Sequence, residues 1–161
     1  MKPADFLPPA AQKHYSEFAR AAAAAMHLSY QETIDICSDL LTSGIYPELL
    51  ALDATLARRL IAETRLMMAA AMHYNDAHYE DIVRVLNSAL DSPDEVRKDA
   101  LFTLAVVHLS FEKPEAARQS MQQCLELISE LRRNGANDGS LLQQEQEAAQ
   151  FLSGLAGIEG S

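Results

Sequence analysis

The stretch from Leu66 to Leu125 contains the same pattern twice. Moved by 35 residues, Leu66 falls on Leu101, Ala69 on Leu104, Ala70 on Ala105 and His73 on His108. Beyond a polar turn, Tyr79 meets Pro114, Ile82 meets Ala117, Leu86 meets Met121 and Ala89 meets Cys124. Large and small side chains keep their order through two segments and the turn between them. A unit of this length cannot bury its apolar face alone, so successive copies must pack on one another. A weaker third copy lies upstream, where "SYQETIDICSDLL" matches "HYEDIVRVLNSAL". Tyr30, Thr33 and Cys37 then occupy the places of Tyr79, Ile82 and Leu86. Its first segment, "SEFARAAAAAM", fits poorly, because Glu17 and Arg20 fall where apolar and small residues are required.

Each segment has helical rather than strand periodicity. Ala, Leu, Glu, Gln, Arg and Met outnumber Val and Ile, and no stretch alternates at period two. The expected fold class is all-α, with about seven helices in antiparallel pairs. Helices are expected at about 10–26, 30–42, 47–74, 79–90, 93–110, 114–133 and 140–152, joined by short polar turns. Gly44 reads as a C-cap ending the second helix, and Pro47 suits the first turn of a long third helix reaching Tyr74. The expected organisation is a flexible leader over 1–9, one domain over 10–155 and a tail over 156–161. Repeats fall at about 15–42, 64–92 and 99–130, with a capping helix at about 140–153.

This arrangement resembles the tetratricopeptide repeat, a helix–turn–helix unit of about 34 residues. Leu66, Ala69, Ala70, His73, Tyr79, Ile82, Leu86 and Ala89 carry the resemblance, and their counterparts from Leu101 to Cys124 carry it better. The usual Trp and Gly of the first helix are absent, and His replaces the usual Tyr. The resemblance implies a right-handed α–α superhelix whose first helices line a concave groove. It also implies a non-enzymatic interaction module, an adaptor or chaperone, that takes an apolar segment of a partner protein. In size and acidity the chain resembles the type III secretion chaperones. Its "AETRLMMAAAMHY" stretch is similar to repeats of the cohesin-loading adaptor family.

Groove-facing places implied by the resemblance are Phe18, Met67, Met68, Ala71, Tyr74 and Asn75, followed by Phe102, Val106 and Leu109. Ala22, Met26, Thr64, Asp99, Thr103 and Ser110 extend the same wall. Phe18, Met67 and Phe102 are expected to share one position along it. Met adapts to varied apolar partners, and an amphipathic or extended segment would suit such a surface. The alternative is a structural role, in which the same wall packs against a second copy of the chain or a permanent subunit.

Two stretches imitate reactive sites. His73, Asp76, His78, Glu80 and Asp81 crowd nine residues, but His73 and His78 lack the i, i+4 spacing of a helical zinc pair. His73 and His108 read as packing residues at one repeated position. His78 and Asp76 read as helix-capping residues, and Glu80 and Asp81 as acids favoured in a helix's first turn. Asn134 to Glu145 partly fits a calcium loop, yet Ala136 stands at its third position and offers no ligand. The same letters read as a helix end at Asn134-Gly135 and a cap at Ser140. No metal, cofactor or catalytic residue is expected, since no phosphate-loop, nucleophile-elbow or zinc-protease motif occurs.

The net charge of −10 disfavours a nucleic-acid partner. The basic pairs Arg58-Arg59, Arg97-Lys98 and Arg132-Arg133 read as solvated helix ends or faces. Cys37 and Cys124 lie far apart with no metal spacing and read as reduced, buried residues. No apolar run is long enough for a signal peptide or a membrane span, so a soluble, cytoplasmic protein is expected.

Overall fold

The computed structural model describes residues 7–135 and 139–159. The expected leader lies outside the described residues as far as residue 6, as do Ala136 and Asp138 of the calcium-like loop. Among the described residues every regular element is an α-helix. They are α1 (Pro9–Met26), α2 (Tyr30–Thr42), α3 (Ile45–Leu52), α4 (Ala54–Tyr74), α5 (Tyr79–Ser88), α6 (Asp94–Ser110), α7 (Pro114–Arg133) and α8 (Gly139–Glu159). The chain divides into two compact units, Met1–Pro93 and Asp94–Ser161, and each is described by itself.

In the first unit, α1 pairs with α2, α2 packs on α4, and α4 pairs with α5. In the second, α6 pairs with α7, which carries α8. All three hairpins turn in the same way. Leu28, Asp76 and Glu112 each follow a first helix in the left-handed conformation, with φ of 61°, 60° and 61°. One residue later, an N–H reaches back to the final turn: Ser29 to the Ala24 carbonyl, Ala77 to Met72 and Lys113 to His108, at 2.9–3.0 Å. This bond satisfies a carbonyl that the helix end would otherwise leave open.

The turns differ in length, and that corrects the repeat register. After the left-handed residue, Ser29 and Lys113 each stand alone before the next helix, whereas Ala77 and His78 both intervene in the middle hairpin. The second helices therefore match at 35 residues and the first helices at 36. In α4 the buried positions include Leu60, Ala62, Thr64, Ala69 and Ala71; 36 residues on stand Val96, Lys98, Ala100, Ala105 and Val107, all buried. His73 and His108 are thus not equivalent, and neither are Leu66 and Leu101. His108 is buried in place of Met72, while His73 is half-buried. The same correction explains the poor fit of the first copy. Ala21, rather than Arg20, matches Ala69 and Ala105, and none of the three is exposed. Across each hairpin these alanines share the interior with Thr33, Ile82 and Ala117 of the second helices, which are equally enclosed.

The long helix expected over 47–74 is broken. Asp53 is extended (φ −155°, ψ 95°), and its carboxylate accepts the Leu56 N–H at 3.1 Å, capping α4. The preceding residues form a separate short helix, α3, with Pro47 in its first turn. Ile45, Tyr46 and Leu49 of α3 join a core with Ala10 and Ala11 of α1, Leu40 of α2, and Ala57 and Leu60 of α4. Burying such side chains stabilises by about 1.5–3 kcal/mol each for the larger ones, which holds α3 against α1 and α4.

Other local expectations also shift. Gly44 is not a left-handed C-cap; Ser43 ends α2, and Gly44 precedes α3 at φ −77°. His78 holds the N-cap position of α5 without a side-chain hydrogen bond, while Glu80 and Asp81 do occupy its first turn. Asn134 ends α7, and Gly135 follows at φ 90°. Ser140 stands inside α8, which runs to Glu159 through most of the expected tail.

Candidate interaction surface

The expected groove residues divide between the units, with Phe18, Met67, Met68, Ala71, Tyr74 and Asn75 in the first. Phe102, Val106 and Leu109 belong to the second. With the first-helix register at 36, Phe18, Leu66 and Phe102 share a position, and Met67 moves one place around the helix.

In the first unit an apolar pocket of about 410 Å³ opens where the end of α1 and the start of α2 meet the last turns of α4. Met67, Ala71 and Tyr74 line it, together with Met26, Tyr30 and Ala70. Its wall is an aromatic pair: Tyr30 and Tyr74 stack with centroids 5.3 Å apart and planes inclined by 19°. At the rim the Asn75 amide donates to Gln31 Oε1 at 3.1 Å, tying α4 to α2. Met67 and Met68 are half-buried and pack against Ala21, Ile36 and Cys37. Met26 and Tyr74 remain 83% and 68% exposed although the helices around them are packed.

Several expected residues face elsewhere. Thr64 is fully buried and belongs to an internal polar chain. Its hydroxyl donates to the Leu60 carbonyl at 2.9 Å and lies 2.7 Å from Tyr46 Oη, which is 2.9 Å from His14 Nδ1. The two contacts of Tyr46 link α1, α3 and α4 through side chains that are all buried. His14 Nε2 is buried with no hydrogen-bond partner among the described residues. Burial holds the His14 pKa down at about 4. Burial likewise pushes Tyr46 up to about 12, the Thr64 contact opposing it. Phe18 stacks on His14 at 5.3 Å, half-buried. Nothing in the sequence signals this polar chain, because Tyr46 falls between the helices expected over 30–42 and 47–74.

In the second unit Phe102 is half-buried, 6.5 Å from Phe151 of α8. Val106 is 37% exposed, and Leu109 is half-buried. Asp99 and Thr103 line a separate small cavity with Lys98. Lys98 departs from the expectation of a solvated basic pair: it is buried, while Arg58, Arg59, Arg132 and Arg133 are exposed. Both cysteines are free and buried, and burial raises each thiol to about 11.

Among the described residues no group of three or more His, Cys, Asp or Glu is placed to hold a metal ion. No described helix is long and apolar enough to cross a membrane. No protein-family model matches this chain, and no curated protein matches it in sequence.

Proposed function

We propose that this chain is a small tetratricopeptide-like interaction module, an adaptor or chaperone, that holds an apolar segment of a partner protein without chemistry of its own. One observation carries the reading: the pocket of the first unit keeps Met26 and Tyr74 open to solvent beside Tyr30 and Met67. The hairpins support it, since each turns on a left-handed residue and buries an alanine at one matching position of its first helix. A paired tyrosine wall offers area at little cost in side-chain entropy, and methionine adapts to the shape of what it meets. An amphipathic helix laid into this pocket would bury both.

The test is capture of the native partner by the full chain and by a Met26→Glu/Tyr74→Glu variant. Both side chains are exposed, so the variant is expected to keep its far-UV helicity and melting temperature while losing capture. Undiminished capture overturns the reading. Light scattering covers the structural alternative: a stable wild-type dimer that the variant dissociates assigns the pocket to self-association.

A further inference from the structure

Every residue lining the apolar pocket of the first unit falls in one of two stretches, 21–57 and 66–83. Neither stretch contains a Lys or an Arg, yet together they carry eight Asp and Glu residues. Three of these acids belong to the segments at the rim. Glu32 lies two residues beyond Tyr30, Asp76 lies two beyond Tyr74, and both are exposed. Asp35 is tied to the rim through Gln31, whose amide donates to the Asp35 carboxylate at 2.9 Å while its oxygen accepts from Asn75. None of the three forms an ion pair among the described residues, whereas Glu17, Glu63 and Asp81 each meet an arginine. The arginines nearest the pocket in sequence are engaged elsewhere: Arg20 pairs with Glu17, and Arg65 donates to the Ser88 carbonyl oxygen at 3.2 Å. Leu28, 72% exposed in the turn after Met26, adds a third open apolar side chain to those of Met26 and Tyr74.

We propose that the partner segment held in this pocket is a cationic amphipathic helix, with Lys or Arg bordering its apolar face. The proposal rests on the interaction-module reading and names the partner's chemistry. Met67 to Tyr74 covers about 10 Å of α4, two turns, which matches apolar side chains spaced i, i+3, i+4 and i+7 on a docked helix. Burying Met26, Leu28 and Tyr74 against that face is favourable but blind to charge. The carboxylates make the choice. A cation at the rim meets Glu32, Asp35 or Asp76 with no local cation to displace, which speeds encounter and favours one sign of partner. An anionic helix would set like charges together. A second copy of the chain would do the same, because a two-fold axis at the pocket brings together two sets of the same carboxylates.

The test is fluorescence anisotropy of the full chain with labelled synthetic helical peptides that share a Leu face and differ only in a polar face of Lys, Gln or Glu. The expected order of affinity is Lys, then Gln, then Glu, with the Lys preference shrinking as salt is raised. Glu32→Gln/Asp76→Asn is expected to weaken the Lys peptide about threefold or more, the effect of two exposed ion pairs, and to leave the Gln peptide unchanged. Asn accepts the left-handed conformation of Asp76, so the turn is kept. Asp39→Asn/Glu48→Gln removes equal charge farther along α2 and on α3, and is expected to leave all three affinities unchanged. Equal losses in the two double variants assign the preference to net charge and overturn the proposal. Met26→Ser/Tyr74→Ser removes apolar contact without adding charge and is expected to abolish binding; a Lys peptide that still binds it sits elsewhere on the acidic surface, which also overturns the proposal. Equal affinity for the Lys and Gln peptides overturns the charge preference while the pocket reading stands. Failure of every peptide to bind overturns the proposal as well, and capture of the native partner judges the interaction-module reading separately.

Discussion

The Thr33 hydroxyl donates to the Ala21 carbonyl oxygen at 3.0 Å, joining the second helix of the first hairpin to the backbone of the first. That approach is possible because Ala21 presents only a methyl group at the crossing, and neither residue is exposed. The corresponding alanines, Ala69 and Ala105, are enclosed to the same degree. Substituting Ala21→Leu is expected to destabilise the chain by about 1–3 kcal/mol through overpacking. Thr33→Val, nearly equal in volume, should cost about 1 kcal/mol for the lost hydrogen bond. Urea unfolding followed by circular dichroism measures both. A neutral Ala21→Leu would mean that the helices have room to separate.

Leu28 holds a left-handed conformation at φ 61° while its side chain is 72% exposed. The backbone strain there is offset by no burial of consequence. Leu28→Gly is expected to stabilise the chain by about 0.5–1 kcal/mol, because glycine adopts this conformation without steric cost. Thermal melting reads the shift, and a lower melting temperature would show that Leu28 packs more than its exposure indicates.

Asp53 separates α3 from α4 and caps the latter through its carboxylate. Asp53→Ala is expected to cost about 1 kcal/mol, while Asp53→Asn, which keeps the acceptor, should lose much less. Equal losses in both variants would shift the explanation from the hydrogen bond to the favourable interaction of negative charge with the helix end.

Acid sensitivity is expected from His14. Its pKa in the folded chain is about 4, below the ordinary 6.5, so the unfolded chain takes up the proton first as pH falls. The His14 contribution is therefore complete above about pH 6.5 and is lost towards pH 4, by up to about 3 kcal/mol. Denaturation midpoints measured across that window should fall for wild type and fall less for His14→Phe, which leaves the Tyr46–Thr64 hydrogen bond in place. Parallel curves would remove His14 as the cause.

The repeated pattern of large and small residues was enough to specify an all-helical chain of hairpins. It placed α2 and α7 at their observed bounds and aligned the second helices through Ile82, Leu86 and Ala89. Those positions follow a turn and differ sharply in volume, so sliding them by one residue would put Asp81 or Asn87 inside. The first-helix register was hidden because alanine runs occupy it. Within Ala21–Ala25 and Ala69–Ala71 no volume contrast separates one alignment from the next. Only the folded turn, with Ala77 and His78 where its neighbours have one residue, decided which alanine meets the partner helix; one extra residue rotates a helix face by about 100°. The break at Asp53 joins a local cause to a tertiary one. Asp is a poor interior residue and a good N-cap. Tyr46 and Leu49 on its N-terminal side are buried in the core with α1, α2 and α4. Tertiary packing settled the fate of Lys98 and Thr64. Periodicity records which residues share a face, but whether that face meets water, a neighbouring helix or a polar partner depends on what the rest of the chain brings against it.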